Sequence, residues 1–148
     1  MSHESVLAEQ TAWERTCPEA ITSDVIWPLD AYRAALFLID LARNDMRIAA
    51  KLHYDRRLAG QLLGSVGSIS ANIAEGYSRS SRADRLRFYD YALGSNRECF
   101  SWYGVAGDVV PADALNDRLV LLARIRSLLL GLIRSLRKRN TARRQFEP

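Results

Sequence analysis

The stretch Gly60-Gln-Leu-Leu-Gly-Ser-Val-Gly-Ser-Ile-Ser-Ala-Asn-Ile-Ala-Glu-Gly-Tyr-Ser78 decides the fold of this chain. Its large apolar residues recur at spacings of three and four, which is the period of one helix face: Leu62, Val66, Ile69, Ile73 and Tyr77. A second face carries only small residues: Gly60, Gly64, Gly67, Ala71, Ala74 and Ser78. Since a glycine inside a helix costs about 1 kcal/mol relative to alanine, we expect a neighbouring helix to approach closely there. The pattern predicts a helix over residues 55–78.

Three more segments have helical periodicity, and no segment shows the alternation of a β-strand. The first and third begin with a proline followed two residues later by an aspartate, and the second begins with the capping box Ser81-Arg-Ala-Asp84. We expect these helices at residues 28–44, with an extension toward Leu52 left open, at 81–106 and at 111–138. Together the four segments predict an all-α fold, an antiparallel up-down four-helix bundle.

The apolar faces of the last two helices are broad. In the helix over 81–106 two stripes are predicted to face the core: Leu86, Tyr89, Leu93, Phe100 and Tyr103, and beside them Phe88, Ala92, Cys99, Trp102 and Ala106. Aromatic residues at this spacing are more typical of a core than of a stacking surface. The helix over 111–138 is more apolar than one bundle contact requires, which leaves apolar surface for a second subunit, although ordinary core packing explains much of it.

Charge is distributed unevenly along the chain, although the net charge is only +4. Residues 1–30 hold six carboxylates against one arginine, and the last fifteen residues hold six basic residues against one glutamate. We predict a flexible acidic arm over residues 1–24, the bundle over 25–139 and a basic disordered tail over 140–148. A basic end of this kind favours an acidic partner such as nucleic acid, although a solvated tail gives the same pattern.

Residues for catalysis, metal binding or cofactor binding are scarce. The chain has two histidines, His3 and His53, and it contains no glycine-rich phosphate loop and no Ser/His/Asp arrangement. Cys17 and Cys99 fit no metal-ligand spacing, so we expect free thiols in a reducing compartment. No apolar stretch has the length of a membrane span, and no export signal is visible. The sequence predicts a cytoplasmic protein that is not an enzyme and uses no metal or cofactor.

Two polar groups leave alternatives open. Asn72 and Glu75 lie between the two faces of the helix over 55–78, and Arg79 follows one turn further on. We expect a buried polar network there that fixes the helix register, with a catalytic acid as the alternative. Arg47 and His53 resemble the arginine and histidine of helical RNases of the HEPN type. An RNase is therefore a further alternative, and a solvated pair of loop residues is the simpler explanation.

The segment Ser68-Ile-Ser-Ala-Asn-Ile-Ala-Glu-Gly-Tyr77 resembles a motif of the 23S rRNA intervening-sequence proteins, which are small bacterial four-helix bundles. The family pattern continues with a basic stretch, then A-L-G-S-x-x-E, then an ending like G-L-I-x-S-L-K. Here these parts are residues 79–87, Ala92-Leu-Gly-Ser95 with Glu98, and Gly131-Leu-Ile-Arg-Ser-Leu-Arg137. The resemblance spans about residues 27–138. It is broken at Ser70, where the family has proline, and at Leu63-Gly64, where it often has two basic residues.

The resemblance implies a homopentameric barrel of bundles with a positively charged surface. The family includes accessory proteins of diversity-generating retroelements, in which that surface serves a reverse transcriptase and nucleic acid. We therefore expect a homo-oligomer that binds nucleic acid, with structured RNA as the leading ligand and a scaffold for a reverse transcriptase or similar enzyme as the alternative. The expected phosphate contacts are Arg79, Arg82, Arg85, Arg87, Arg134, Arg137, Lys138 and Arg139.

Overall fold

Six α-helices and one 3₁₀-helix make up the part of the chain that the structure describes. The structure is a computed structural model that describes residues 3–52 and 55–144, with side chains over 4–52 and 55–138. The elements are α1 (His3–Glu14), α2 (Glu19–Thr22), α3 (Asp30–Lys51), α4 (Arg56–Tyr77), α5 (Arg82–Val105), the 3₁₀-helix (Ala106–Asp108) and α6 (Ala112–Arg144). No strand occurs in either described range. The predicted all-α class is therefore confirmed.

The four long helices, α3 to α6, form a helical bundle. α4 packs against α3 and α5, and α6 closes the bundle by packing against α5 and α3. Four residues of the large apolar stripe of α4 face the core as their spacing predicted, since Leu62, Val66, Ile69 and Ile73 are at most 1% exposed. The fifth, Tyr77 at the end of the helix, was predicted to face the core but is 38% exposed. Burial of the other four side chains is the main stabilising contribution of α4, because each aliphatic side chain removed from water stabilises by about 1.5–3 kcal/mol.

Local sequence signals set the helix ends. Asp55 caps α4 by accepting a 2.6 Å hydrogen bond from the backbone N–H two residues on. Ser81 caps α5 by accepting a 3.3 Å hydrogen bond from the N–H three residues on, as the capping box predicted. α3 continues to Lys51, which decides between its two predicted ends. α6 continues to Arg144 instead of ending near residue 138.

The N-terminal segment contains a packed helix where the sequence predicted a flexible arm. α1 packs against α3 and α6, and its Val6 and Gln10 are only 3% and 4% exposed. The rings of Trp13 and Phe37 lie 5.5 Å apart, and Gln10 Oε1 accepts a 2.6 Å hydrogen bond from Arg124 Nη1. Three inward residues are too few to produce a visible helical periodicity, so the sequence did not reveal this helix.

The three glycines of the small-residue face of α4 make no close helix contact within the described chain, which corrects the prediction made from them. A Cβ atom at Gly60, Gly64 or Gly67 would have no heavy atom within 4 Å. The close approach occurs instead at Gly76, where a Cβ atom would lie 2.8 Å from Tyr89 Cε1 on α5. The face at the three glycines is open because α4 turns its large apolar stripe toward α3 and α5.

Asn72 and Glu75 do not form the buried network that the sequence predicted. The side chain of Glu75 is 47% exposed and forms an ion pair with Arg79, while Asn72 Nδ2 donates a 2.8 Å hydrogen bond to a backbone carbonyl one turn earlier. Glu75 lies two residues after the buried Ile73, and two residues correspond to about 200° around a helix. Glu75 therefore points away from the core, and a carboxylate in this position has no desolvation to compensate.

A buried polar network exists in another place, between α3, α5 and α6. Arg118 Nε and Nη2 each donate a 2.9 Å hydrogen bond to one carboxylate oxygen of Asp45. Tyr103 donates a third hydrogen bond, 3.0 Å long, to Asp45 Oδ2. The three residues are at most 7% exposed, so this network ties three helices together in the interior of the bundle.

Candidate nucleic-acid interface

The first group of predicted phosphate contacts lies around the turn between α4 and α5 and consists of Arg79, Arg82, Arg85 and Arg87. Arg85 stabilises that turn. Its Nη2 donates a 2.7 Å hydrogen bond to the carbonyl oxygen of Arg79, just past the end of α4. Carbonyl groups at a helix end have no partner inside the helix, and cationic side chains stabilise them. Arg85 Nε is also buried without a hydrogen bond to any described group. Arg85 therefore serves the turn and is the least available of the four predicted contacts.

Arg79 and Arg87 converge on one aromatic ring. Their guanidinium carbons lie 5.0 Å and 5.5 Å from the centroid of the Phe88 ring, within the range of about 6 Å for a cation–π contact. Arg79 pairs with Glu75, and Arg87 Nη2 lies 3.0 Å from Asp84 Oδ1. These four charged side chains are 41–57% exposed. Exposed pairs contribute about 0–1 kcal/mol, so a phosphate group can compete for both arginines.

Arg82 is a half-buried cation of the turn that has no partner among the described residues. It occupies the first turn of α5 and makes no hydrogen bond or ion pair with a residue inside the two described ranges. Its guanidinium can therefore bind an anion without first giving up a partner.

The second group of predicted phosphate contacts lies on α6, and one of its members, Arg137, lies next to the cations of the α4–α5 turn. Its Nη2 lies 3.9 Å from Asp90 Oδ2 on α5, one turn beyond Arg87. Arg134 and Lys138 are exposed on neighbouring turns of α6, and Arg134 Nε donates a 3.1 Å hydrogen bond to the carbonyl oxygen one turn earlier. The Arg139 side chain lies outside the described residues. The structure thus joins one member of the second group to the cations of the α4–α5 turn.

Two aromatic residues belong to this surface although the sequence did not place them there. Phe88 was predicted to face the core, but it is only half-buried and its ring contacts the two arginines. Tyr91 is 54% exposed, and its ring centroid lies 5.9 Å from that of Phe88 at an interplanar angle of 87°. The helical period could have revealed Tyr91, which is two residues and about 200° from the buried Tyr89. We call the surface formed by Arg79, Arg82, Arg87, Phe88, Tyr91 and Arg137 the turn surface.

A separate cleft of about 740 Å³ lies between α3 and the first half of α4, at the opposite end of α4 from the turn surface. Asp40, Arg43 and Arg47 are among its lining residues, and Arg47 Nη2 donates a 2.8 Å hydrogen bond to Asn44 Oδ1. His53, the other half of the RNase alternative, lies outside the described residues. The pairing of Arg47 with His53 therefore stays a prediction.

The cysteines and acidic residues offer little further chemistry. Both cysteines are free, as predicted, and Cys99 Sγ lies 3.1 Å from Ser65 Oγ in the core. Burial raises the pKa of the Cys99 thiol to about 11, so it stays protonated and is a poor nucleophile. Over residues 3–52 and 55–144 there is no group of three or more metal-ligating side chains, and no helix is long and apolar enough to cross a membrane.

The fold of this chain has known relatives. The family model of the 23S rRNA-intervening sequence proteins matches residues 31–128. The chain belongs to this family. Its fold is similar to the 1.70 Å crystal structure of a protein of unknown function from the S23 ribosomal protein family of Bacteroides thetaiotaomicron VPI-5482. That similarity has a TM-score of 0.66 at 22% identity and covers 70% of this chain and 97% of the other. No curated protein matches the chain.

The family model covers one part of the candidate interface and not the other. It includes the α4–α5 turn with Arg79, Arg82 and Arg87, and it ends before Arg134 and Arg137. α1 lies before the matched range. The cations of the turn therefore belong to the part of the chain that the family model covers, whereas those of α6 lie in a segment beyond it.

Proposed function

We propose that this protein is a non-enzymatic, homo-oligomeric helical bundle that binds nucleic acid, with RNA as the ligand, through the turn surface. The observation that carries the proposal is the convergence of Arg79 and Arg87 on Phe88, with Arg82 and Arg137 beside them. Cations interleaved with aromatic rings suit a ligand made of phosphates and flat bases. The description of the family refers to 23S rRNA, which favours RNA over DNA.

The carboxylates of this surface do not remove its positive charge. Three carboxylates, Glu75, Asp84 and Asp90, lie among seven cations of the turn and of α6. Five of the cations are exposed and two are half-buried: Arg79, Arg87, Arg134, Arg137 and Lys138, and Arg82 and Arg85. Each carboxylate sits in an exposed pair that salt and competing anions weaken. The excess of arginine and lysine supports a surface that attracts the phosphate backbone without reading its sequence.

The proposal predicts that RNA affinity falls steeply as the salt concentration rises and that four arginines cause most of this dependence. The test variant has four arginines changed together to alanine: Arg79, Arg82, Arg87 and Arg137. Its RNA binding should be at least about tenfold weaker at low salt. The slope of log affinity against log salt should be shallower by about 3, because each phosphate contact contributes about 0.7–0.9 to that slope. Fluorescence anisotropy with a labelled RNA over a salt series measures both quantities.

A matched control removes the same charge at the other end of the bundle. Arg43, Arg47, Arg56 and Arg57 are all exposed, and Arg43 and Arg47 lie at the cleft between α3 and α4. Their joint replacement by alanine should leave most of the affinity and of the slope. Equal losses in the two variants would contradict a binding site at the turn surface, and no RNA binding by the unaltered protein would contradict the function itself.

We extend the proposal to the assembly, a pentamer of antiparallel up-down bundles. The open face of α4 supports self-association, because Gly60, Gly64 and Gly67 cost helix stability and no contact within the described chain offsets that cost. A second helix backbone can approach closely over such a face. Light scattering of the purified protein should give five times the chain mass of 16.7 kDa. A monomer at micromolar concentration would contradict the assembly.

A further inference from the structure

Tyr91 is a large aromatic side chain that the bundle holds in place but does not cover. It is 54% exposed, and its hydroxyl makes no hydrogen bond with a residue that the structure describes. The perpendicular contact with Phe88, at 5.9 Å between ring centroids, fixes the ring from one side. Phe88 is itself held by two arginines. The exposed ring is therefore pre-organised, so little side-chain entropy is lost when a ligand covers it.

The next turn of α5 leaves room beside this ring. Gly94 follows Tyr91 by three residues, and a Cβ atom at Gly94 would have no heavy atom within 4 Å. Ser95, four residues on, carries only a hydroxymethyl group. Residues three and four apart are neighbours on a helix surface. The side of Tyr91 away from Phe88 is thus flanked by a gap and not by a large side chain.

Two arginines contact close neighbours of Tyr91, since Arg87 lies over the Phe88 ring and Arg137 pairs with Asp90. Arg87 precedes Tyr91 by one turn, and Arg137 reaches Asp90, the residue directly before Tyr91, from α6. The ion pair with Arg137 also offsets the one carboxylate adjacent to the ring. A flat group on Tyr91 with negatively charged groups near it would be matched in shape and in charge.

We propose that the turn surface binds unpaired nucleotides and that Tyr91 stacks on one of their bases. This inference rests on the proposed nucleic-acid function and specifies its ligand as a single-stranded segment. The bases of a duplex already stack on each other and cannot open a face to Tyr91, whereas unpaired bases stack readily on aromatic side chains. Phosphate contacts from the arginines are open to both forms. Tyr91 therefore discriminates between single strand and duplex, and the arginines supply the affinity common to both.

The test uses the full-length protein with two labelled RNAs. One is an oligouridylate of about 16 nucleotides, a length at the upper end of the site sizes of single-strand-binding modules, and the other is a perfect duplex of the same length. Tyr91→Ala should weaken binding of the oligouridylate by about 5-fold to 150-fold, the range for loss of one stacked base, and leave duplex binding unchanged. Tyr91→Phe keeps the ring and should retain the affinity. Val105→Ala is the control, because Val105 is 51% exposed on the same helix and lies about 21 Å along it.

Each outcome separates the inference from the function on which it rests. Selective loss of oligouridylate binding in Tyr91→Ala, with recovery in Tyr91→Phe, supports the stacking role. If Tyr91→Ala leaves both RNAs bound as before, or weakens both equally, the stacking role is wrong and the arginine surface still stands. If the unaltered protein binds neither RNA, the proposed function is itself overturned. Circular dichroism of the variants should be unchanged, since Tyr91 and Val105 are both largely exposed.

Discussion

Replacing Asp45 by alanine is expected to lower the free energy of unfolding by about 3–5 kcal/mol, the loss found when one partner of a buried ion pair is removed. Arg118 binds both oxygens of the Asp45 carboxylate, and the side chains of the pair are 8% and 3% exposed. Without the carboxylate the Arg118 guanidinium and the Tyr103 hydroxyl remain in the core and lose the acceptor of these three hydrogen bonds. The cost of that uncompensated charge, more than the attraction that is lost, sets the size of the effect.

Arg118 and Tyr103 both have a raised pKa in this network. Burial alone would lower the pKa of Arg118, but its hydrogen bonds with Asp45 and the charge of that residue raise the pKa above its ordinary value. Burial, and next the charge of Asp45, raise the pKa of Tyr103 above its usual range. The raised pKa of Arg118 contributes stability that is lost only as the pH rises through an already very high value. Arg118 therefore stays charged and Tyr103 stays a hydrogen-bond donor at any pH near neutrality.

Urea unfolding followed by circular dichroism measures the loss at Asp45. Asp40→Ala is the control, because Asp40 is an exposed aspartate on the same helix and its removal should change stability by no more than about 0.5 kcal/mol. A double variant with leucine at Asp45 and Arg118 should recover most of the loss, since apolar residues can replace a buried ion pair. If the Asp45 variant loses no more stability than the Asp40 variant, the pair is not desolvated as the geometry indicates.

The helices of this chain could be predicted because their signals are local. Ser81 caps α5 through a hydrogen bond to the third residue after it, and the buried stripe of α4 depends only on spacings within that helix. The Asp45–Arg118 contact joins residues 73 positions apart. The spacing from Leu38 and Ala42 places Asp45 on the buried face of α3, but nothing close to it in the sequence indicates that Arg118 and Tyr103 are its partners. The buried network was therefore expected at Asn72 and Glu75, and its true position follows only from the packing of three helices.

The candidate interface was predictable in its composition and not in its geometry. The pair of Glu75 with Arg79 follows from a spacing of four residues along one helix. The inward turn of Arg85 depends on where α4 ends relative to α5, and the approach of Arg137 to Asp90 depends on the packing of α6 against α5. Tertiary packing thus decides which of the predicted cations remain available to a ligand.

Gly76→Val is expected to lower the free energy of unfolding by about 3 kcal/mol, at the upper end of the range for overpacked sites. A Cβ atom at Gly76 would lie 2.8 Å and 2.9 Å from two ring carbons of Tyr89 and 3.0 Å from Phe88 Cβ, and valine adds two more methyl groups. Tyr89 is only 3% exposed, and the Cβ atom of Phe88 is fixed by the backbone of α5. Neither neighbour can withdraw, so α4 and α5 have to separate.

The same substitution at Gly131 isolates the effect of that contact. Gly131 lies inside α6, and a Cβ atom there would have no heavy atom within 4 Å. Valine has a somewhat better helix propensity than glycine, so urea unfolding of Gly131→Val should show equal or slightly higher stability. Adding Tyr89→Leu to Gly76→Val should restore part of the lost stability if the Tyr89 ring is the obstacle. Equal stability of Gly76→Val and Gly131→Val would contradict the steric clash at Gly76. Because Gly76 and Phe88 also position Arg79, separation of α4 and α5 should weaken RNA binding in Gly76→Val and not in Gly131→Val.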